Sequence, residues 1–135
     1  MRILVFQHLA VEHPGAFTAL WTAAGHAITT VELDEGAAIP DVTAFDLMVA
    51  MGGPMDVWQE AELPWLAHEK AAIARFVAEL GRPYLGICLG HQLLATALET
   101  IQLLSEFARE RMPQHLPAVL ELIEPFGETL AAHYG

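Results

Sequence analysis

Pro83-Tyr84-Leu85-Gly86-Ile87-Cys88-Leu89-Gly90-His91-Gln92 passes from an apolar, strand-like segment into a helical pattern through a single cysteine. Its first five residues read as a short strand. Beyond Cys88, the residues Leu94, Ala97, Leu98, Ile101 and Leu104 recur at spacings of three and four, the period of an amphipathic helix. Glycines stand two places before and two places after the cysteine, where a strand-to-helix turn would block larger side chains. Such a turn lifts the residue at its apex into a cleft. It also sets the sulfur beside the free N–H groups of a helix N-terminus, whose partial positive charge favours an anion. Cys88 is therefore the candidate nucleophile. Taken alone, the pentapeptide also fits a small buried cysteine between two packing glycines.

Working outward, strands and helices alternate. Ile3 to Phe6 is an all-apolar run, as in a strand covered on both faces, and Pro14-Gly15 precedes a helical stretch over Ala16 to Ala24 that Gly25 can end in the left-handed conformation. Ile28-Thr29-Thr30-Val31 reads as a second strand and Leu47-Met48-Val49-Ala50 as a third, broken abruptly by Gly52-Gly53-Pro54. From Pro64 to Leu80 the pattern is helical, with Leu66, Ile73, Phe76, Val77 and Leu80 largely on one face and Gly81 at its end. Strand-helix-strand connections are right-handed and build a parallel sheet whose functional residues gather at the carboxyl ends of the strands. The expected fold is α/β in three layers, a mostly parallel sheet flanked by helices. Gly53 and Cys88 both lie at strand ends. After Ile87 the pattern is helical to Pro113, over Leu116 to Ile123 and after Pro125, with no fifth strand.

Composition narrows the function. The 135 residues suffice for one domain with a packed core, at 54% hydrophobic and 17% charged. Six basic against 17 acidic residues give a formal charge of -11, which repels phosphate backbones and anionic lipid, so neither nucleic acid nor a membrane surface is an expected partner. One cysteine makes no internal disulfide and a thiol persists in a reducing medium, so a cytoplasmic location is expected. Met1 to Phe6 is too short an apolar run for a signal peptide, and no stretch is long enough to span a bilayer. The seven histidines are scattered without His-Glu-x-x-His or paired-cysteine spacing, so no metal is expected. Gly52-Gly53-Pro54 lacks the Lys-Ser/Thr ending of a phosphate-binding loop and no Gly-x-Gly-x-x-Gly follows the first strand, so no nucleotide or other cofactor is expected. Trp58 and Trp65 flank a polar stretch and are expected to pack on the sheet.

Gly86 to Gln92, followed by Leu93-Leu94-Ala95, resembles the active-site segment of class I glutamine amidotransferases, particularly the GMP-synthase-like branch. Upstream, Asp46-Leu47-Met48-Val49-Ala50-Met51-Gly52-Gly53-Pro54-Met55 is similar to that family's strand and glycine-proline loop at the oxyanion site, in the same order and separation. The resemblance runs from residue 1 to about residue 98. It implies a flavodoxin-like sheet and hydrolysis of the glutamine side-chain amide through a Cys88 thioester, releasing ammonia to an acceptor. The backbone N–H groups of Gly53 and Leu89 would hold the oxyanion, and Gln92 and Gly52 would contact the substrate. L-glutamine is the implied substrate and a synthase the implied partner; separately, a sheet without later strands leaves an edge or apolar face, so a homo-oligomer is a further expectation.

The family's base comes from a His-x-Glu pair later in the chain, and these 135 residues contain none. His115 is followed by Leu116-Pro117 and His133 by Tyr134-Gly135. His91 follows Cys88 by three residues on the same helix, so its ring would have to fold back, and a structural role is expected for it. Residues 1–99 are expected to form the amidotransferase-like core. Residues 100–135, which only loosely resemble the helical tail of longer relatives, are expected to pack on it as a helical segment. A deletion near Ala97 to Ile101, natural or engineered, or residues simply not shown, accounts for this pattern. An elbow without its base predicts negligible glutamine hydrolysis by the chain as it stands. Two other classes stay open: a non-catalytic remnant acting as a protein-interaction module, for which Cys88→Ala changes nothing, and another cysteine hydrolase on a similar fold, active on an acyl or peptide substrate.

Overall fold

Ile3, Leu4, Val5 and Phe6 have no exposed surface, so the first apolar run becomes an inner strand rather than an edge. A computed structural model describes residues 1–111, with side chains through residue 100. The helical runs expected over 116–123 and after Pro125, with His115, His133 and most of the expected 100–135 segment, lie outside the described residues.

The strands are Arg2–Gln7 (β1), Ala27–Glu32 (β2), Leu47–Ala50 (β3) and Tyr84–Gly86 (β4). All pair in parallel, in the order β2-β1-β3-β4, with Val5 opposite Thr30 on one side and Val49 on the other. The helices are Ala16–Ala23 (α1), Trp65–Ala74 (α2) and Leu89–Arg111 (α3). The chain lays β2 on one side of β1, then crosses back to add β3 and β4 on the other. That reversal opens a crevice at the carboxyl ends of β1 and β3. Among the described residues no helix is long and apolar enough to cross a membrane.

Alternation along the strands divides the core between two faces. Leu4, Phe6, Met48 and Ala50 pack under α2 and α3, against Leu66, Ile73, Phe76, Leu89, Leu93 and Ala97. Ile3, Val5, Val49 and Met51 face the other way, toward Trp21 of α1. Fully burying a side chain such as Leu4 or Phe6 contributes about 1.5–3 kcal/mol, so the α2–α3 face supplies most of the packing energy. By contrast α1 buries no residue completely.

Two departures from the periodicity have physical reasons. The helix expected to Leu80 is regular only to Ala74. Over Arg75–Glu79 it widens to a π turn, in which the Leu80 N–H reaches the Arg75 carbonyl at 3.0 Å. The wider turn lets three consecutive residues, Phe76, Val77 and Ala78, be buried together. In α3 the deepest row is Leu89, Leu93 and Ala97, with Leu94 and Leu98 only partly buried beside it. The row starts earlier than the pattern suggested because the helix begins immediately after Cys88. Trp58 does not pack on the sheet as expected: it is 74% exposed, in a turn that Lys70 holds through Glu60 (2.6 Å) and the Val57 carbonyl, where Val57 packs against the core instead.

Candidate active site at the cysteine elbow

Cys88 has φ 52, the one non-glycine residue with positive φ among the described residues. A left-handed cysteine costs on the order of 1–3 kcal/mol and persists only where its surroundings enforce it. They do. The Ile87 N–H donates to the Ala50 carbonyl (3.0 Å), the Gly90 N–H to the Met51 carbonyl (3.2 Å), and the Tyr84 hydroxyl to the Gly90 carbonyl (2.7 Å). These bonds lash the first turn of α3 to the ends of β3 and β4. The close approach needs both glycines: a Cβ on Gly90 would lie 2.2 Å from the Ala50 carbonyl oxygen, and one on Gly86 2.7 Å from the Gly90 carbonyl carbon. At the apex the Cys88 side chain is exposed.

The glycine-proline loop after β3 is brought against this elbow. A Cβ on Gly52 would lie 3.8 Å from Cβ of Cys88 and 3.0 Å from a carboxylate oxygen of Glu12, which puts the 8–15 loop on the rim of the site. On Gly53 a Cβ would meet Leu89 Cδ2 at 2.9 Å, Met55 Sδ at 3.0 Å and His8 Cβ at 3.2 Å. The N–H groups of Gly53 and Leu89 have no hydrogen-bond partner among the described residues. Of the expected site residues, Cys88, Gly52, Gly53 and Leu89 are thus neighbours. Gln92 and His91 are exposed in the first turn of α3, and each N–H bonds the Cys88 carbonyl (3.2 and 3.0 Å). The Gly52 carbonyl already has a partner inside the protein, His8 Nδ1 at 3.1 Å.

His8 and Glu69 are the site residues that sequence reasoning missed. Both are completely buried. His8 Nε2 lies 2.8 and 3.0 Å from the two carboxylate oxygens of Glu69, and the imidazole stacks on Trp65 with centroids 5.6 Å apart. A signal did exist for Glu69: with Leu66 and Ile73 it falls on the buried stripe of α2, where an acid is rare unless paired. Nothing comparable marks His8 beyond its place after a wholly buried strand.

The pair holds a proton tightly. Burial works against a charged His8, but the hydrogen bond and charge of Glu69, with the Gly52 and Met51 carbonyls, outweigh it and raise His8 above the usual 6.5. Burial likewise pushes Glu69 up, and the bond to His8 offsets this only in part. Both directions describe one proton shared by a coupled pair. Because the folded His8 binds it more tightly than the unfolded chain does, this stabilisation is complete below the ordinary histidine value and is lost as pH rises through the raised one. The expected result is a urea midpoint that falls as pH rises above about 6.5, with a flatter profile in the His8→Phe/Glu69→Leu double variant. Identical profiles would count against the shared proton.

No group of three or more His, Cys, Asp or Glu suited to a metal occurs among the described residues.

Comparison with known proteins points to one family. The family model described as "Glutamine amidotransferase class-I" matches residues 19–125. A GMP synthase [glutamine-hydrolyzing] from Aeropyrum pernix is 36% identical over 89 residues, 66% of this chain and 14% of that protein. Among solved structures, a glutamine amidotransferase from Thermotoga maritima superposes with a TM-score of 0.69 at 27% identity, covering 73% of this chain and 43% of that one. One from Methylobacillus flagellatus gives 0.66 at 30% identity, covering 72% and 38%. The chain spans less than half the length of each of these relatives.

Proposed function

This chain belongs to the class-I glutamine amidotransferase family, and from that premise we propose that Cys88 attacks the side-chain amide carbon of L-glutamine. The sulfur forms a bond to that carbon and the carbonyl electrons move onto oxygen. The N–H groups of Gly53 and Leu89 receive the oxyanion, an arrangement in which one donor is typically worth about 3 kcal/mol. Collapse expels the nitrogen, which takes up the thiol proton and leaves as ammonia, and water then hydrolyses the thioester to glutamate and free thiol. Gln92 contacts the substrate from the first turn of α3, and Gly52 shapes the floor beneath it. The observation that carries this reading is the left-handed Cys88 at the β4–α3 junction, exposed and in contact with a loop whose N–H groups are free.

Proton transfer sets the rate. The 135 residues include no His-x-Glu pair, so we expect turnover by this chain alone to be negligible while the nucleophile itself stays competent. A synthase partner takes the ammonia onward in this reading, in a reducing compartment such as the cytoplasm.

Two measurements on one sample test it. A diazoketone analogue of glutamine should add one equivalent to the wild-type protein and none to Cys88→Ala, read by intact mass. Ammonia release from glutamine should stay near the Cys88→Ala baseline. Equal labelling of the two proteins would remove Cys88 as the nucleophile, and turnover at about 1 s⁻¹ or more would remove the need for an outside base.

A further inference from the structure

The Gly52–Gly53 loop leaves the sheet immediately after its last backbone anchors. Met51 donates its N–H to Phe6 (3.0 Å) and accepts from Gly90 (3.2 Å). Beyond it, among the described residues, the hydrogen bond from His8 to the Gly52 carbonyl is the only one made by residues 52 to 55. A loop opening on two glycines has little intrinsic preference for one peptide orientation.

We propose that the buried His8–Glu69 pair is a positioning device that locks the Gly52–Gly53 peptide plane, so that the Gly53 N–H is held toward the oxyanion site. This rests on the reading of Gly53 as an oxyanion donor. The carbonyl of Gly52 and the N–H of Gly53 belong to one peptide unit. No cis peptide occurs among the described residues, so the two groups point in opposite directions. Fixing the oxygen on His8 therefore fixes the N–H on the far side of the plane. A carbonyl oxygen only accepts, so Nδ1 must carry a hydrogen. Nε2 faces both oxygens of Glu69, and with one proton held between that nitrogen and the carboxyl group the second ring hydrogen stays on Nδ1, while Trp65 stacks on the ring and restrains its tilt.

The geometry also accounts for an otherwise costly arrangement. Well-packed apolar side chains in place of a buried ion pair are often neutral or stabilising. What they do not supply is a donor aimed at the Gly52 carbonyl. Gly53 completes the design, since a side chain there would strike Leu89, Met55 and His8 itself.

The test uses the full chain and three proteins: wild type, His8→Phe/Glu69→Leu, and His8→Asn/Glu69→Leu. Removing both members together avoids the unpaired buried charge that a single change leaves. An asparagine amide nitrogen occupies nearly the same place as Nδ1 and restores the bond to Gly52. Acylation of Cys88 by an L-glutamate γ-thioester is followed by intact mass, because the leaving thiolate needs no proton and the step is readable without an added base. The lock predicts a rate at saturating thioester about 10- to 100-fold lower in the phenylalanine variant, with little change in the half-saturating concentration and recovery with asparagine. The Gly53 amide NMR signal should be sharp in wild type, exchange-broadened with phenylalanine and sharp again with asparagine.

Unchanged acylation and an unbroadened Gly53 signal in a folded phenylalanine variant overturn the lock and leave Cys88 as nucleophile. A wild type that is never acylated, with the broadening still present, overturns the oxyanion reading and the catalytic role given to the lock. Loss of rate without rescue by asparagine assigns the effect to packing and also overturns it.

Discussion

Replacing Gly90 by alanine is expected to cost at least about 3 kcal/mol of stability and to dismantle the turn that carries Cys88. The added methyl carbon would sit 2.2 Å from the Ala50 carbonyl oxygen and 2.7 Å from its carbon. Both are backbone atoms of an inner strand, so no side-chain rotation relieves the overlap. Relief requires α3 to lift from β3, which breaks the Gly90–Met51 hydrogen bond and uncovers Leu89 and Leu93. The informative control is Gly36→Ala. Gly36, unlike Gly90, has positive φ (78), and nothing lies within 4 Å of its Cβ position, so only backbone strain of about 1–2 kcal/mol applies there. Urea unfolding of the two variants against wild type separates overlap from strain. A Gly90→Ala protein no less stable than Gly36→Ala would show that the elbow is not packed this tightly. The diazoketone should in addition fail to label Gly90→Ala at the wild-type rate.

The second large effect comes from breaking the buried pair on one side only. His8→Phe leaves the Glu69 carboxyl in the core without a partner, and removing one member of a buried pair costs about 3–5 kcal/mol. Phenylalanine keeps most of the ring's contacts, so the loss belongs to polarity rather than to a cavity. A stranded Glu69 takes up a proton to escape its charge, so the damage in His8→Phe should shrink as pH falls toward the acidic range. The His8→Phe/Glu69→Leu protein should recover most of the lost stability at neutral pH. Chemical denaturation of the single and double variants measures the difference, and a double variant as unstable as the single one would mean that shape at residue 8 matters more than charge. Stability and acylation thus diverge: the double variant is expected to be nearly wild type in the first and impaired in the second.

Much of the architecture was legible because its signals are local. Strand β1 announced itself through four adjacent apolar residues, and Leu47–Ala50 coincides with the expected third strand. Gly25 and Gly81, expected to end their helices, have φ of 77 and 61. The elbow was legible as a five-residue pattern, although only Gly86 answers to local neighbours: Gly90 answers to the Ala50 carbonyl, which the fold brings against it. Less visible were features whose cause lies elsewhere in the molecule. The π turn at Arg75–Glu79 answers to the burial of three adjacent residues under the sheet, which no helical period encodes. Trp58 was expected to pack from its residue type alone, yet its turn packs through Val57 and leaves the indole exposed.

The amino-acid sequence by itself determined the alternation of strands and helices, the tight turn at residue 88, and the family to which these belong. Each depends on side-chain size and spacing over a few residues, where steric rules act directly. Only the folded chain decided that His8 meets Glu69, 61 positions away, and that both stand behind the Gly52 carbonyl. That meeting requires β3 to lie beside β1 and α2 to cover the same face of the sheet. It follows from strand order and packing, and neither is written in the neighbourhood of residue 8 or residue 69.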